Sequence, residues 1–154
     1  MSEPMVLAVV GSTMLEGDHL VGAFIVDTLR LLRPNVVVSG GARGVDTIAA
    51  RAAGFLGIPL VEHKPLTQSW EGEGGFKERN GWIARDCTHL LRIFYVDART
   101  YGSGWTRDRA AELGKPTASF GVSVLYVPRI RLSPERQNIN WMHGRAADMV
   151  TVAR

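Results

Sequence analysis

The segment 39–46, SGGARGVD, places three glycines and an arginine within eight residues, between a β-branched run and an alanine-rich stretch with helical spacing. Gly40, Gly41 and Gly44 can take positive φ and let an anion approach the backbone closely. The first amides of the helix that follows have no partner within it, and its dipole favours negative charge there. Arg43 adds a planar fork of donors suited to phosphate, Ser39 a hydroxyl at the strand end. Asp46 caps the helix or bonds a ribose hydroxyl. The spacing matches neither GxxxxGK[ST] nor GxGxxG, which argues against Mg-dependent triphosphate cleavage and against a hydride-transfer cofactor. No cofactor is expected.

Three further stretches fall at the same edge of the expected sheet. Gly11 and Ser12 end the first apolar run and offer a flexible amide and a hydroxyl. Arg79 and Asn80 lie in FKERNGW. The stretch 101–108, YGSGWTRD, supplies Gly102, Ser103, Gly104 and Thr106 as a second anion-binding turn. Each alone is compatible with ordinary turn chemistry; their convergence on one edge points to a ligand site. Trp82 and Trp105 flank these loops as candidates for base stacking. Glu71, Glu73 and Glu78 surround a glycine-rich loop, 65–75, that fits a lid or an exposed acidic loop equally well.

The elements that must position these residues follow from periodicity. Short apolar, β-branched runs at 6–10, 36–38, 58–61, 90–95 and 117–120 read as strands. Between them, 18–32, 46–56, 76–86 and 105–113 read as helices, with Pro34 and Gly57 as stops. Strands without polar alternation, each followed by a helix, predict a parallel sheet covered on both faces. The expected fold is a Rossmann-like three-layer α/β domain over residues 1–127, with a mostly parallel sheet of about five strands. A basic extension or arm follows over 128–154.

The 154 residues suit one core. Up to Val127 the chain carries 13 basic and 13 acidic residues, so the net charge of +3 comes from the tail, where Arg129, Arg131, Arg136, Arg145 and Arg154 face only Glu135 and Asp148. A neutral body argues against an extended phosphate-tracking face. No apolar run reaches the ~18 residues of a bilayer span, and no secretory signal pattern opens the chain. With one cysteine, Cys87, no internal disulfide can form. Cytoplasm is the expected compartment, with no membrane partner. His19, His63, His89 and His143 lack metal-ligand spacing, so no metal site is expected. Cys87 reads as a core thiol, and no serine sits in a GxSxG elbow.

The combination of a G-S/T strand end, SGGARGVDTIAARAA, FKERN and GSGWTRD…AAELGKP, over residues 5–121, resembles the SLOG superfamily, which unites the DNA-processing Smf proteins with the Lonely Guy nucleotide enzymes. Its small stand-alone members are the most similar in organisation. The resemblance implies a Rossmann-like sheet that binds nucleotide-derived ligands or nucleic acid, commonly as a homodimer or higher homo-oligomer. The Lonely Guy phosphoribohydrolases carry PGGxGTxxE with a catalytic glutamate; the comparable stretch here is GSGWTRDR, with Arg109 in the glutamate's place. The Smf proteins typically carry added domains. The expected function is therefore binding of a nucleotide or nucleotide-derived phosphorylated ligand at the carboxyl edge of the sheet. One alternative is a nucleoside-monophosphate phosphoribohydrolase, with Asp108 or Glu78 as the acid–base group. The other is a single-stranded DNA binder of Smf type using Arg43, Arg79 and the basic tail.

Overall fold

The computed structural model describes residues 3–98 and 101–123, together with the backbone of 149–153. Among the described residues six strands make one sheet: β1 (Val6–Gly11), β2 (Val36–Ser39), β3 (Leu60–Glu62), β4 (His89–Tyr95), β5 (Thr117–Ser123) and β6 (Met149–Ala153). Their order is β3-β2-β1-β4-β5-β6, and every neighbouring pair is parallel. The helices are α1 (His19–Leu32), α2 (Val45–Leu56), α3 (Phe76–Asp86) and α4 (Gly102–Glu112), with a 3₁₀ turn at Thr13–Leu15. This is the Rossmann-like α/β fold that the strand–helix alternation predicts.

The strand pleat sorts the apolar side chains into two cores. Leu7 and Val9 of β1 pack with Ile25, Leu29 and Ala49 of α1 and α2. Ala8 and Val10 point the other way, to Ile83 and Ala84 of α3 and Ala110 of α4. Residues such as Leu7, Leu29, Leu90 and Leu91 are fully buried, each stabilising the fold by ~1.5–3 kcal/mol. Cys87 is one of these core residues, and burial pushes its thiol pKa up to about 11. Helix α1 starts where Asp18 accepts the amides of Leu20 and Val21 at 3.0 and 2.9 Å.

Three boundaries differ from the sequence expectation, each for a local reason. β3 begins at Leu60 because Ile58 still donates its amide to Ala53 O in the C-terminal turn of α2, and Pro59 has no amide to give. It is an edge strand, with Leu60 and Val61 exposed by 36% and 43%. Helix α4 begins at Gly102, because the Trp105 amide bonds Tyr101 O and the Thr106 hydroxyl bonds Gly102 O. The glycines read as a loop are therefore its first turn. Finally, β6 pairs with β5 from Ser119↔Met149 to Ser123↔Ala153, inside the stretch read as an extension. The tail arginines and Ile139, Trp141 and Met142 lie outside the described residues.

From β1 the chain winds outward through β2 and β3, then crosses back to β4 on the other side of β1. Connections leave β1 and β4 in opposite directions, which opens a crevice at their carboxyl ends, the usual ligand position in an open parallel sheet.

Candidate functional site

A cleft of about 390 Å³ occupies that crevice. Its floor is the end of β1, Val10 and Gly11, with Thr13 just beyond. Ala42 and Asp46 enter from the β2–α2 turn, Arg79, Asn80 and Ile83 from α3, and Gly102, Ser103 and Thr106 from the first turn of α4. Trp70, Phe76 and Tyr101 complete the wall with aromatic surface. The N-terminus of α4, the Asp46 carboxylate and one guanidinium thus converge with three rings in one concavity. That combination can hold an anionic group at one end and a flat apolar group at the other.

Arg79 is the organising residue. It is 7% exposed, and its guanidinium donates to the carbonyls of Gly40 and His63, the latter at 3.3 Å, and to Asn80 Oδ1 at 2.7 Å. Asn80 in turn donates to Gly102 O at 3.4 Å, so α3 ties the β2–α2 turn to the start of α4. Burial pushes the Arg79 pKa below its ordinary value, and the nearby Asp46 charge opposes this. Asp46 is itself buried, and its pKa rises to about 6 because burial outweighs the amide of Ala42, 3.2 Å away, and the charge of Arg79. Asp46 is the carboxylate that lines the cleft.

The glycine-rich β2–α2 turn is built differently from the sequence expectation. Gly44 adopts φ 79°, and a side chain there would strike the Ser12 carbonyl. A Cβ on Gly40 would strike the Arg79 guanidinium and lie 2.8 Å from Asp46 Oδ2. Ser39 is fully buried, with its hydroxyl directed to Asp46 O at 3.4 Å. Gly41 faces Lys64 and Glu62. The Arg43 side chain is 80% exposed and lies 3.9 Å from Glu16. None of these five residues lines the cleft. Ser12 does not line it either: it braces the floor, its hydroxyl accepting the Tyr95 amide at 2.8 Å and its carbonyl accepting the Val45 amide at 3.3 Å.

The expected residues that the fold does bring to the cleft are Gly11, Asp46, Arg79, Asn80, Gly102, Ser103 and Thr106. Gly104 lies behind it, where a Cβ would come within 3.2 Å of both Arg92 Nη2 and the Tyr101 ring. The two acid–base candidates lie elsewhere. Glu78 lines a separate groove on the outer face of α3 and α4 and accepts the Gly74 amide at 3.3 Å. Asp108 accepts from the Tyr101 hydroxyl at 3.2 Å and sits 2.7 Å from Arg107 Nε. Trp82 and Trp105 line that same outer groove. Trp70, in the polar loop, is the tryptophan at the cleft, packed edge-on against Trp105 with centroids 5.9 Å apart. The signal that could have found it is an apolar ring amid SWEGEGG, a stretch otherwise without reason to hold one.

Among the described residues, no cluster of histidine, cysteine, aspartate and glutamate is placed to hold a metal, and no helix is long and apolar enough to cross a membrane.

No family model matches the chain, and no curated protein does. Solved structures do. DNA processing protein A from Streptococcus pneumoniae superposes with a TM-score of 0.58 at 23% identity, over 86% of this chain and 52% of that one. DNA processing protein A from Helicobacter pylori, in a structure concerned with its single-stranded DNA binding mode, gives 0.53 at 15% identity, over 88% and 70%. The chain therefore spans about half the length of the pneumococcal protein, and at these identities the likeness is one of fold: a Rossmann-like domain of the kind found in DNA processing protein A.

Proposed function

We propose that the cleft binds a nucleotide unit, with phosphate at the N-terminus of α4 and the base against Trp70, Phe76 and Tyr101. The observation that carries this reading is the position of the cleft at the β1/β4 reversal, where the Arg79 guanidinium and the α4 amides face three aromatic rings. The α4 turn supplies free amides and a helix dipole to the anion. Stacking of one base on an aromatic face is worth ~1–3 kcal/mol. Asp46, protonated or not, sits where a ribose hydroxyl would meet it.

A thermal-shift panel of nucleoside monophosphates tests the reading. A ligand that binds only the folded chain stabilises it by RT ln(1 + [L]/Kd), ~2.7 kcal/mol at a hundredfold excess over Kd. Saturable stabilisation by a nucleotide, and not by its nucleoside, is the expected result. A panel in which no nucleotide shifts the midpoint overturns it.

A second reading, in which the nucleotide unit belongs to a single DNA strand, is favoured by the fold likeness to the Helicobacter pylori protein. Its signature is an affinity for oligonucleotides that falls as salt rises, with a slope of roughly −0.7 per phosphate neutralised. A hydrolase of nucleoside monophosphates is not favoured, since Asp108 and Glu78 both lie outside the cleft lining. Release of free base at high enzyme concentration would revive it.

A further inference from the structure

Behind the first turn of α4 lies a second cluster of charge, whose arginines do not line the cleft and which meets it at Ser103. Arg92 projects from β4 on the face covered by α3 and α4, the same side as its neighbours in register, Leu90 and Phe94. Its guanidinium stacks on the Phe94 ring at 4.0 Å and donates from Nε to the Ser103 hydroxyl at 3.1 Å. Gly104 gives it room, because a Cβ there would crowd Nη2. Arg107 comes down from α4 close enough to depress the pKa of Arg92, which burial and this like charge push down to about 10. The Arg107 side chain is only 9% exposed.

The charges there do not balance. Among the described residues Asp108 is the one carboxylate acting on the pair, 2.7 Å from Arg107 Nε but without hydrogen-bond geometry, so that Nε has no hydrogen-bond acceptor there. Ser119 stands opposite Arg92 in the β4–β5 register, and its buried hydroxyl also has no partner among the described residues. Two buried donors without acceptors and one surplus positive charge are costly in a protein interior. An oxyanion is their complement, since it brings acceptors only and cancels the charge.

We propose that Arg92 and Arg107, with Ser103 and Ser119, form a second anion site whose ligand is a phosphate group. Paired guanidiniums suit phosphate because each can present two parallel donors to its oxygens. Stacking on Phe94 holds the Arg92 plane in advance of binding, so little side-chain freedom is lost on capture. The phosphate has two candidate sources, the free inorganic ion and the backbone of a polynucleotide.

The test uses the full chain titrated with sodium phosphate, with acetate at matched ionic strength, and with oligothymidylate, read by thermal shift and by arginine Nε–Hε NMR signals. Phosphate is expected to stabilise the chain saturably and to move the Arg92 and Arg107 signals, while acetate does neither. Arg107→Met should weaken phosphate binding about tenfold or more through loss of charge-assisted bonds. Without phosphate, it should raise the midpoint by relieving the like-charge contact. Arg79→Gln, in the cleft, should leave the phosphate response of Arg92 and Arg107 in place. If oligothymidylate moves these two signals at lower concentration than phosphate, the source is a polynucleotide; if it does not move them, the source is the free ion. Should Arg107→Met fail to fold, the wild-type NMR titration decides alone. The site is overturned if phosphate acts no better than acetate, if the Arg92 and Arg107 signals stay still, or if a folded Arg107→Met binds phosphate as the wild type does.

Discussion

The two glycine-rich strand-to-helix turns look alike in the sequence and do opposite jobs in the fold. In the β2–α2 turn the glycines face inward: Gly44 makes room for the Ser12 carbonyl and Gly40 for Arg79 and Asp46. The Gly40 and Ala42 carbonyls, the Gly41, Ala42 and Val45 amides and the Ser39 and Thr47 hydroxyls there already have protein partners. In the β4–α4 turn Gly102 and Ser103 form a helix start that opens into the cleft. A Cβ on Gly102 would meet nothing closer than 3.6 Å. Glycine between a strand and a helix therefore has two meanings, close packing of the protein on itself or open access for something else. Only the surroundings distinguish them.

The largest expected effect breaks the first turn. Gly44→Ala combines a left-handed φ with a backbone collision and should destabilise the chain by ~3 kcal/mol or more, measured by urea unfolding. Gly102→Ala, by contrast, should leave stability within about 1 kcal/mol while weakening nucleotide binding by narrowing the cleft. Equal losses of stability in the two variants would erase the distinction.

Asp46 gives a comparable effect through pH. Its folded pKa, about 6, lies above the ordinary 3.8, so the folded state binds the proton more tightly than the unfolded one. Stability from this group is therefore greatest below pH 4 and declines as pH rises to 6, by ~3 kcal/mol in total. Unfolding free energies of wild type and Asp46→Asn measured from pH 4 to 7 should diverge by that amount, the wild type losing ground. Protonated Asp46 also leaves Arg79 uncompensated, so nucleotide affinity should rise as pH falls through 6 and should lose this dependence in Asp46→Asn.

Smaller effects sharpen the ligand side. Trp70→Ala should cost ~1–2 kcal/mol of nucleotide affinity by isothermal titration calorimetry, with Trp82→Ala, in the outer groove, as the control that changes little. Arg43→Ala should change affinity less than about twofold, because its side chain is 80% exposed and faces Glu16. A large loss in Arg43→Ala would return the phosphate to the β2–α2 turn.

The fold was legible in the sequence because its cause is local: apolar runs such as VVV at 36–38, closed by Gly or Pro, can only be buried strands here. The edge of the sheet that carries the site followed from the same alternation. The division of labour within that edge did not. Whether Gly40 faces a ligand or Arg79 depends on where α3 returns, 39 residues later in the chain. Arg92 stands inside the apolar run 90–95 with no local sign of a partner, and only the tertiary fold sets it beside Arg107 and Ser119. Trp82 and Trp105 were singled out by nearness in sequence to glycine loops, whereas the helical phases of α3 and α4 turn them to the outer face and leave the cleft to Trp70.

Backbone amide chemical-shift mapping with a nucleoside monophosphate tests the central claim most directly. The cleft predicts saturable shifts at Gly11, at the Arg79 Nε–Hε, at the Trp70 indole and at the amides of Gly102, Ser103 and Thr106, with Arg43 unmoved. Shifts confined to the Arg43 turn or to the outer groove of Trp82 and Trp105, or no saturable shifts, would contradict it.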